Sequence, residues 1–232
     1  MDNEIINFDL ESARLKSDDF AKNTATRVPI CLIIDSSFSM RVENRMKKIN
    51  EGVKRFIEDM KNDLYAVSSV ELCIVTFGGE AKVVLPFTSV TKAEFREITP
   101  SGNTPIGEAT NLAIQLIEKR IELYEERGVN KFVPWIVIFS DGIADDKSYK
   151  KYARELCRLQ IENNWKVKAV ELGANGTSLA DFTPSRHVYK LKDIDVADFF
   201  EWISKSVSNI SKSRPDINNY AAEITKFKGE II

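Results

Sequence analysis

Histidine is almost missing from this sequence: His187 is the only one in 232 residues. Zinc sites built on two histidines, such as H-E-x-x-H, therefore cannot form within one chain. Cysteine is scarce too. Cys31, Cys73 and Cys157 are too few and too scattered for a disulfide framework or a Cys-x-x-Cys metal site. Their odd number fits a reducing compartment. Cys31 and Cys73 lie inside apolar runs, where a small buried thiol is the expected role. Long apolar segments are also lacking: the run at residues 30–34 falls far short of the ~20 residues that cross a bilayer. Residues 1–26 carry six acidic and three basic side chains and no apolar block, unlike a signal peptide. Finally, there is no excess of positive charge. The 33 Lys+Arg face 35 Asp+Glu, a net charge of -2, whereas nucleic-acid binding leaves a basic surplus. These absences point to a cytoplasmic protein that engages neither membrane nor nucleic acid.

What is present is a well-formed globular composition, 43% hydrophobic and 29% charged, in a chain long enough to bury a full core. Two kinds of segment alternate. Residues 28–34, 132–139 and 167–172 are apolar runs of the kind that form strands covered on both faces. Residues 70–77 and 81–87 are strand-like, and Gly78-Gly79 between them predicts a tight hairpin. A short strand is expected at 187–191. Met46, Ile49, Val53, Phe56, Ile57 and Met60 recur at three- and four-residue steps, which places them on one face of a helix. A second helix should begin at Pro105 behind an N-capping Thr104, with its stripe running through Ala109, Ala113, Leu116, Ile117 and Ile121. Helices are also expected at 149–162 and 196–210. This alternation predicts an α/β fold: a doubly wound, mostly parallel sheet with helices on both faces and one antiparallel edge strand. The domain spans 27–210, with an N-terminal extension at 1–26 and a C-terminal tail at 211–232. That tail holds Tyr220, Ile224, Phe227, Ile231 and Ile232, enough apolar surface to pack on the domain or on a partner.

In an open α/β sheet, ligands bind beyond the carboxyl ends of the strands. Three polar clusters fall at such ends: Asp35-Ser36-Ser37-Phe38-Ser39, Ser101-Gly102-Asn103-Thr104-Pro105, and Ser140-Asp141-Gly142. Two carboxylates and several hydroxyls make an all-oxygen site, which suits Mg²⁺. Asp35-x-Ser37-x-Ser39, Thr104 in its Gly-Asn-Thr-Pro loop, and Ser140-Asp141-Gly142 together resemble the metal-ion-dependent adhesion site of von Willebrand factor type A domains. The resemblance covers roughly 28–210. It is nearest to small bacterial cytoplasmic members associated with tellurite resistance and general stress, which share the Thr-Pro-x-Gly-x-Ala stretch found at 104–109. It implies six strands in the order 3-2-1-4-5-6. It also implies Mg²⁺ (with Mn²⁺ or Ca²⁺ as substitutes) at Asp35, Ser37, Ser39, Thr104 and Asp141. A protein partner completes the shell with an Asp or Glu carboxylate, and a neighbouring kinase or phosphatase is the implied kind of partner. Phe38, Asn103 and Gly142 would form the rim. The family usually has glycine at the position of Phe38, so its ring either folds over the metal or projects into the partner surface.

Plainer readings exist for each residue. Asp35 and Asp141, taken singly, are strand-end residues that cap turns. His187 reads as structural, and Lys147, Lys150, Lys151 and Arg154 as a solvated helix face interspersed with acids. A rival function is a haloacid-dehalogenase-type phosphotransferase using Asp35 as nucleophile. That chemistry needs a second carboxylate two residues on, where Ser37 stands. No Gly-x-Ser-x-Gly elbow and no phosphate-binding Gly-x-x-x-x-Gly-Lys-Ser/Thr loop is present. A third reading is a metal-independent scaffold whose site Phe38 has closed. The reading that follows is a non-enzymatic, metal-dependent binding module in a stress-response or regulatory assembly.

Overall fold

The computed structural model describes residues 23–141, 144, 146–173, 178–191 and 195–213. Most of the N-terminal extension, nearly all of the C-terminal tail, and Gly142 lie outside these residues.

Six strands form one sheet: β1 (Val28–Asp35), β2 (Val70–Gly78), β3 (Glu80–Ser89), β4 (Trp135–Ser140), β5 (Lys166–Glu171) and β6 (Val188–Lys190), in the order β3-β2-β1-β4-β5-β6. All neighbours are parallel except β2 and β3. The order and the single antiparallel pair are those expected. Gly79 turns the β2–β3 hairpin at a φ of 81°, a conformation that costs glycine little. Pro86, which has no N–H to give, sits in β3 at the sheet edge, where only one side of the strand needs pairing.

β1 is apolar at every residue up to Ile34 because both of its faces are covered. Ile30, Leu32 and Ile34 point to one layer of helices, α1 (Arg45–Asn62) and α5 (Asp195–Lys212). Cys31 and Ile33 point to the other, α3 (Ile106–Glu126) and α4 (Tyr149–Asn163). A short α2 (Ala66–Ser69) leads into β2. Cys31 and Cys73 stand opposite each other in register, both fully buried, and burial raises the Cys31 thiol well above its usual range. They are packing residues.

Several boundaries differ from the expected ones. β4 begins at Trp135 rather than three residues earlier, because Pro134 contributes a carbonyl to Lys166 but has no N–H for a ladder. The 105 helix begins one residue later, at Ile106, and its N-cap position is Pro105, without a side-chain cap. The polar stretch after β1 folds as a 3₁₀ segment, Phe38–Asn44, which the apolar pattern does not announce.

The helix layer of α1 and α5 is tight. Phe200 stacks on Phe139 with ring centroids 5.1 Å apart. A Cβ at Gly52 would stand 2.2 Å from the Phe200 ring. Gly52→Ala should therefore destabilise the protein by about 1–3 kcal/mol, in spite of the ~1 kcal/mol that alanine gains over glycine in a helix. Denaturant unfolding checks this. Unchanged or higher stability would mean that Phe200 moves aside freely.

The ends of the described body lie at the amino edge of the sheet. Asn23 Nδ2 donates to the Ser68 carbonyl at 2.8 Å, just before β2, and Lys212 reaches Asp63 at 3.7 Å.

Candidate functional site

The parallel order places the ends of β1, β2 and β4 side by side, and the three polar clusters meet there. Backbone hydrogen bonds lace them together. Phe38 N–H donates to the Gly102 carbonyl at 3.1 Å, Ser101 N–H to the Ser36 carbonyl at 2.6 Å, and Gly79 N–H to the Asn103 carbonyl at 2.9 Å. The loops approach so closely that a Cβ at Gly102 would lie 2.3 Å from the Gly79 Cα. Gly102 itself has a φ of 64°. This glycine is required twice over, by conformation and by contact.

Asp35 is completely buried. Its Oδ1 accepts the Ser37 N–H at 2.8 Å, and its Oδ2 accepts the Ser140 hydroxyl at 2.6 Å. Burial pushes its pKa up to about 6, the bonds from Ser140 and Ser37 pull it back in part, and the nearby Asp141 carboxylate adds to the rise. Asp141 and Thr104 are also buried. Ser37 is buried, Ser39 is exposed, and their hydroxyl oxygens are 2.9 Å apart. The Asp35–Ser37–Ser39 strand end and the residues flanking Thr104 and Asp141 thus belong to one cluster at one sheet edge.

Two of the rim residues, Asn103 and Phe38, fall outside this buried group. Asn103 is exposed. Phe38 turns outward, 55% exposed, with the Arg41 guanidinium 4.8 Å from its ring centroid. Arg41 in turn donates to the Pro100 carbonyl.

Two residues at the site escaped the sequence reading. Asp146 reaches back to the start of α3, where its Oδ1 accepts the Gly107 N–H at 3.1 Å and its Oδ2 accepts the Ser148 hydroxyl at 2.5 Å. A carboxylate suits the positive end of a helix, and this one fixes the turn that follows Thr104. Arg45, the first residue of α1, lies with Nη1 3.7 Å from Asp141 Oδ2 and Nη2 3.0 Å from Glu43 Oε2. An Asp four residues after a Gly, or an Arg at a helix start, carries no signal in sequence. Both act across about 40 and 100 positions.

The donor set fits a small hard cation. Among the described residues no three His, Cys, Asp or Glu side chains gather to hold a metal, and the oxygens on offer at this edge are two carboxylates and several hydroxyls. Ser37 Oγ and Ser39 Oγ share a hydrogen bond at 2.9 Å, which holds the two hydroxyls close enough to occupy neighbouring positions around one small cation. Ca²⁺, at about 2.3–2.6 Å from its ligands, spaces them more widely.

The family model of the von Willebrand factor type A domain matches residues 30–143. No curated protein matches the chain. Among solved structures, the ArnB paralog VWA2 from Sulfolobus acidocaldarius is 18% identical with a TM-score of 0.52, covering 80% of this chain and 45% of its own. The vWF domain of the type V pili tip protein Mfa5 from Porphyromonas gingivalis is 12% identical with a TM-score of 0.60, covering 84% and 99%. Proximal thread matrix protein 1 from the mussel byssus, with a zinc-occupied MIDAS motif, is 16% identical with a TM-score of 0.57, covering 80% and 47%. The chain thus spans less than half of the archaeal and mussel proteins. At these identities the likeness establishes the fold.

Proposed function

We propose that this chain is a von Willebrand factor type A domain, a non-enzymatic binding module that holds one divalent cation, Mg²⁺ or Mn²⁺, at Asp35, Ser37, Ser39, Thr104 and Asp141. It recruits a protein partner through that partner's Asp or Glu carboxylate, within a stress-response or regulatory assembly of the bacterial cytoplasm. The observation that carries the reading is the pair of serine hydroxyls 2.9 Å apart beside the buried Asp35. The zinc-occupied motif in the mussel protein supports it by fold analogy. No helix among the described residues is long and apolar enough to cross a membrane.

In this reading each residue has its own task. Asp35 holds the Ser37 loop through its N–H and supplies negative charge from below. Ser37 and Ser39 offer neutral oxygens, which remove none of the ion's charge themselves. The bound cation would supply an electrophilic position that an outside carboxylate completes. Phe38, exposed beside Arg41, offers apolar and cationic surface around that carboxylate. Its outward ring favours a rim over a plug that closes the site. Ser37 stands where a phosphotransferase would need its acid, which disfavours the enzymatic alternative.

Titration calorimetry with Mg²⁺ and Mn²⁺ tests the reading. Wild-type protein should bind one ion, Mn²⁺ and Mg²⁺ more tightly than Ca²⁺, and Asp35→Ala should bind none. Matching thermograms for wild type and variant would remove the site from these residues. Phosphate-ester hydrolysis that vanishes in Asp35→Asn would replace the binding reading with the enzymatic one.

A further inference from the structure

We propose that Arg45 is a resident cation of the site that competes with the divalent ion for Asp141, and so sets how tightly that ion binds. This rests on the metal reading above and extends it to a residue that reading does not use.

Locally, Arg45 pairs through Nη2 with Glu43 Oε2 at 3.0 Å, an acid that is itself exposed, and the helix that Arg45 opens gives it no further reason to stand there. It opens α1, where the positive end of the helix disfavours a cation and favours an acid. Two consecutive residues before it, Glu43 and Asn44, adopt left-handed backbone with φ of 55° and 58°. Asparagine tolerates that region, whereas glutamate rarely enters it. The guanidinium is nearly buried, and its Nε has no hydrogen-bond partner among the described residues. Room for it comes from Gly173 after β5, where a Cβ would already lie 3.0 Å from Arg45 Nη2. A turn in strained conformation, a cation at the wrong end of a helix and a cleared approach all deliver one charge to one place. At that place are the buried carboxylates of Asp141, 3.7 Å away, and Asp35 beyond it.

Without metal, Arg45 offsets the repulsion between two buried acids. With metal, a monovalent and a divalent cation must share them, and their mutual repulsion weakens the ion. An acidic partner relieves that repulsion, so ion and partner should each strengthen the other's binding, by equal factors.

The test titrates Mn²⁺ into wild type, Arg45→Gln, Arg45→Lys and Asp35→Ala, and records the melting temperature of each protein without and with Mn²⁺. Arg45→Gln should bind Mn²⁺ at least tenfold more tightly than wild type. It should melt lower without the ion and show a larger upward shift with it. Arg45→Lys, which keeps the charge, should stay close to wild type. Binding by Arg45→Gln where wild type shows none also supports the proposal. If wild type binds, Asp35→Ala does not, and Arg45→Gln binds equally or more weakly, then Arg45 merely positions Asp141 and the proposal is overturned while the metal site stands. Absence of binding in every protein overturns both.

Discussion

Asp35→Asn should stabilise the metal-free protein by about 2–3 kcal/mol at pH 8 while abolishing its response to Mg²⁺. The folded protein holds the Asp35 proton up to a pH of about 6, against 3.8 for the ordinary carboxyl. A raised acid pKa means that the native state binds the proton more tightly than the unfolded chain does. The stability this contributes is full below pH 4 and is lost as pH rises through 6, an overall loss of about 3 kcal/mol. Asparagine keeps the shape without the charge, and its amide oxygen can still accept the Ser37 N–H. The advantage of the variant over wild type should therefore be large at pH 8 and shrink below pH 5. Saturating Mg²⁺ should reverse the ranking, because only wild type gains binding energy from the ion. Urea unfolding at pH 5 and pH 8, each with Mg²⁺ and with chelator, measures all four corners. A variant less stable than wild type at pH 8 in chelator would show that the Asp35 charge is compensated in the native state.

The second large effect lies at the opposite edge of the sheet. Glu71, near the start of β2, is buried. Its Oε2 accepts hydrogen bonds from Arg120 Nε and from the Tyr124 hydroxyl, both at 2.6 Å, and Arg27 Nε stands 3.6 Å from Oε1. Both arginines and Tyr124 are buried as well. Glu71→Ala takes the carboxylate from two buried guanidinium groups and should cost about 3–5 kcal/mol. Most of that cost is the exposed demand of the remaining charges rather than the worth of the pair. Combining Glu71→Leu with Arg120→Met should therefore restore much of the loss. Calorimetric melting of the single and double variants decides it. Equal destabilisation in both would assign the effect to packing. Metal binding should be unchanged in either, since Glu71 sits at the amino end of the strand whose other end, Gly78, adjoins the site.

How much of this the sequence announces depends on the range of the interaction. β1, β2 and β4 are legible as apolar runs because both faces are buried, and α1 is legible from its Met46–Ile49–Val53–Phe56–Met60 stripe. Asp35, Ser37 and Ser39 can be found because a short fixed spacing after a buried strand is visible in one dimension. The strand order came from the resemblance rather than from any pattern along the chain. Arg45 and Asp146 stayed hidden. Their partners lie far away in sequence, and left-handed backbone at Glu43 follows from no propensity. Likewise Glu71, Arg120 and Tyr124 each look like solvent-facing residues until the fold turns them toward one another. Pro134 delays β4 for a reason that is visible in sequence, the missing N–H, but its weight depends on which neighbour needed that bond.

The contacts of Asn23 with Ser68 and of Lys212 with Asp63 put both ends of the described body at the pole opposite the binding edge. The eight residues of β1 alone separate the two poles by about 23 Å. A dye, a bead or a sensor surface attached near residue 23 or residue 213 therefore leaves Phe38, Ser39 and Arg41 facing outward into solution. Immobilised in that orientation, every copy offers the same face to a passing ligand, and a bulky attachment at one pole does not shade the other.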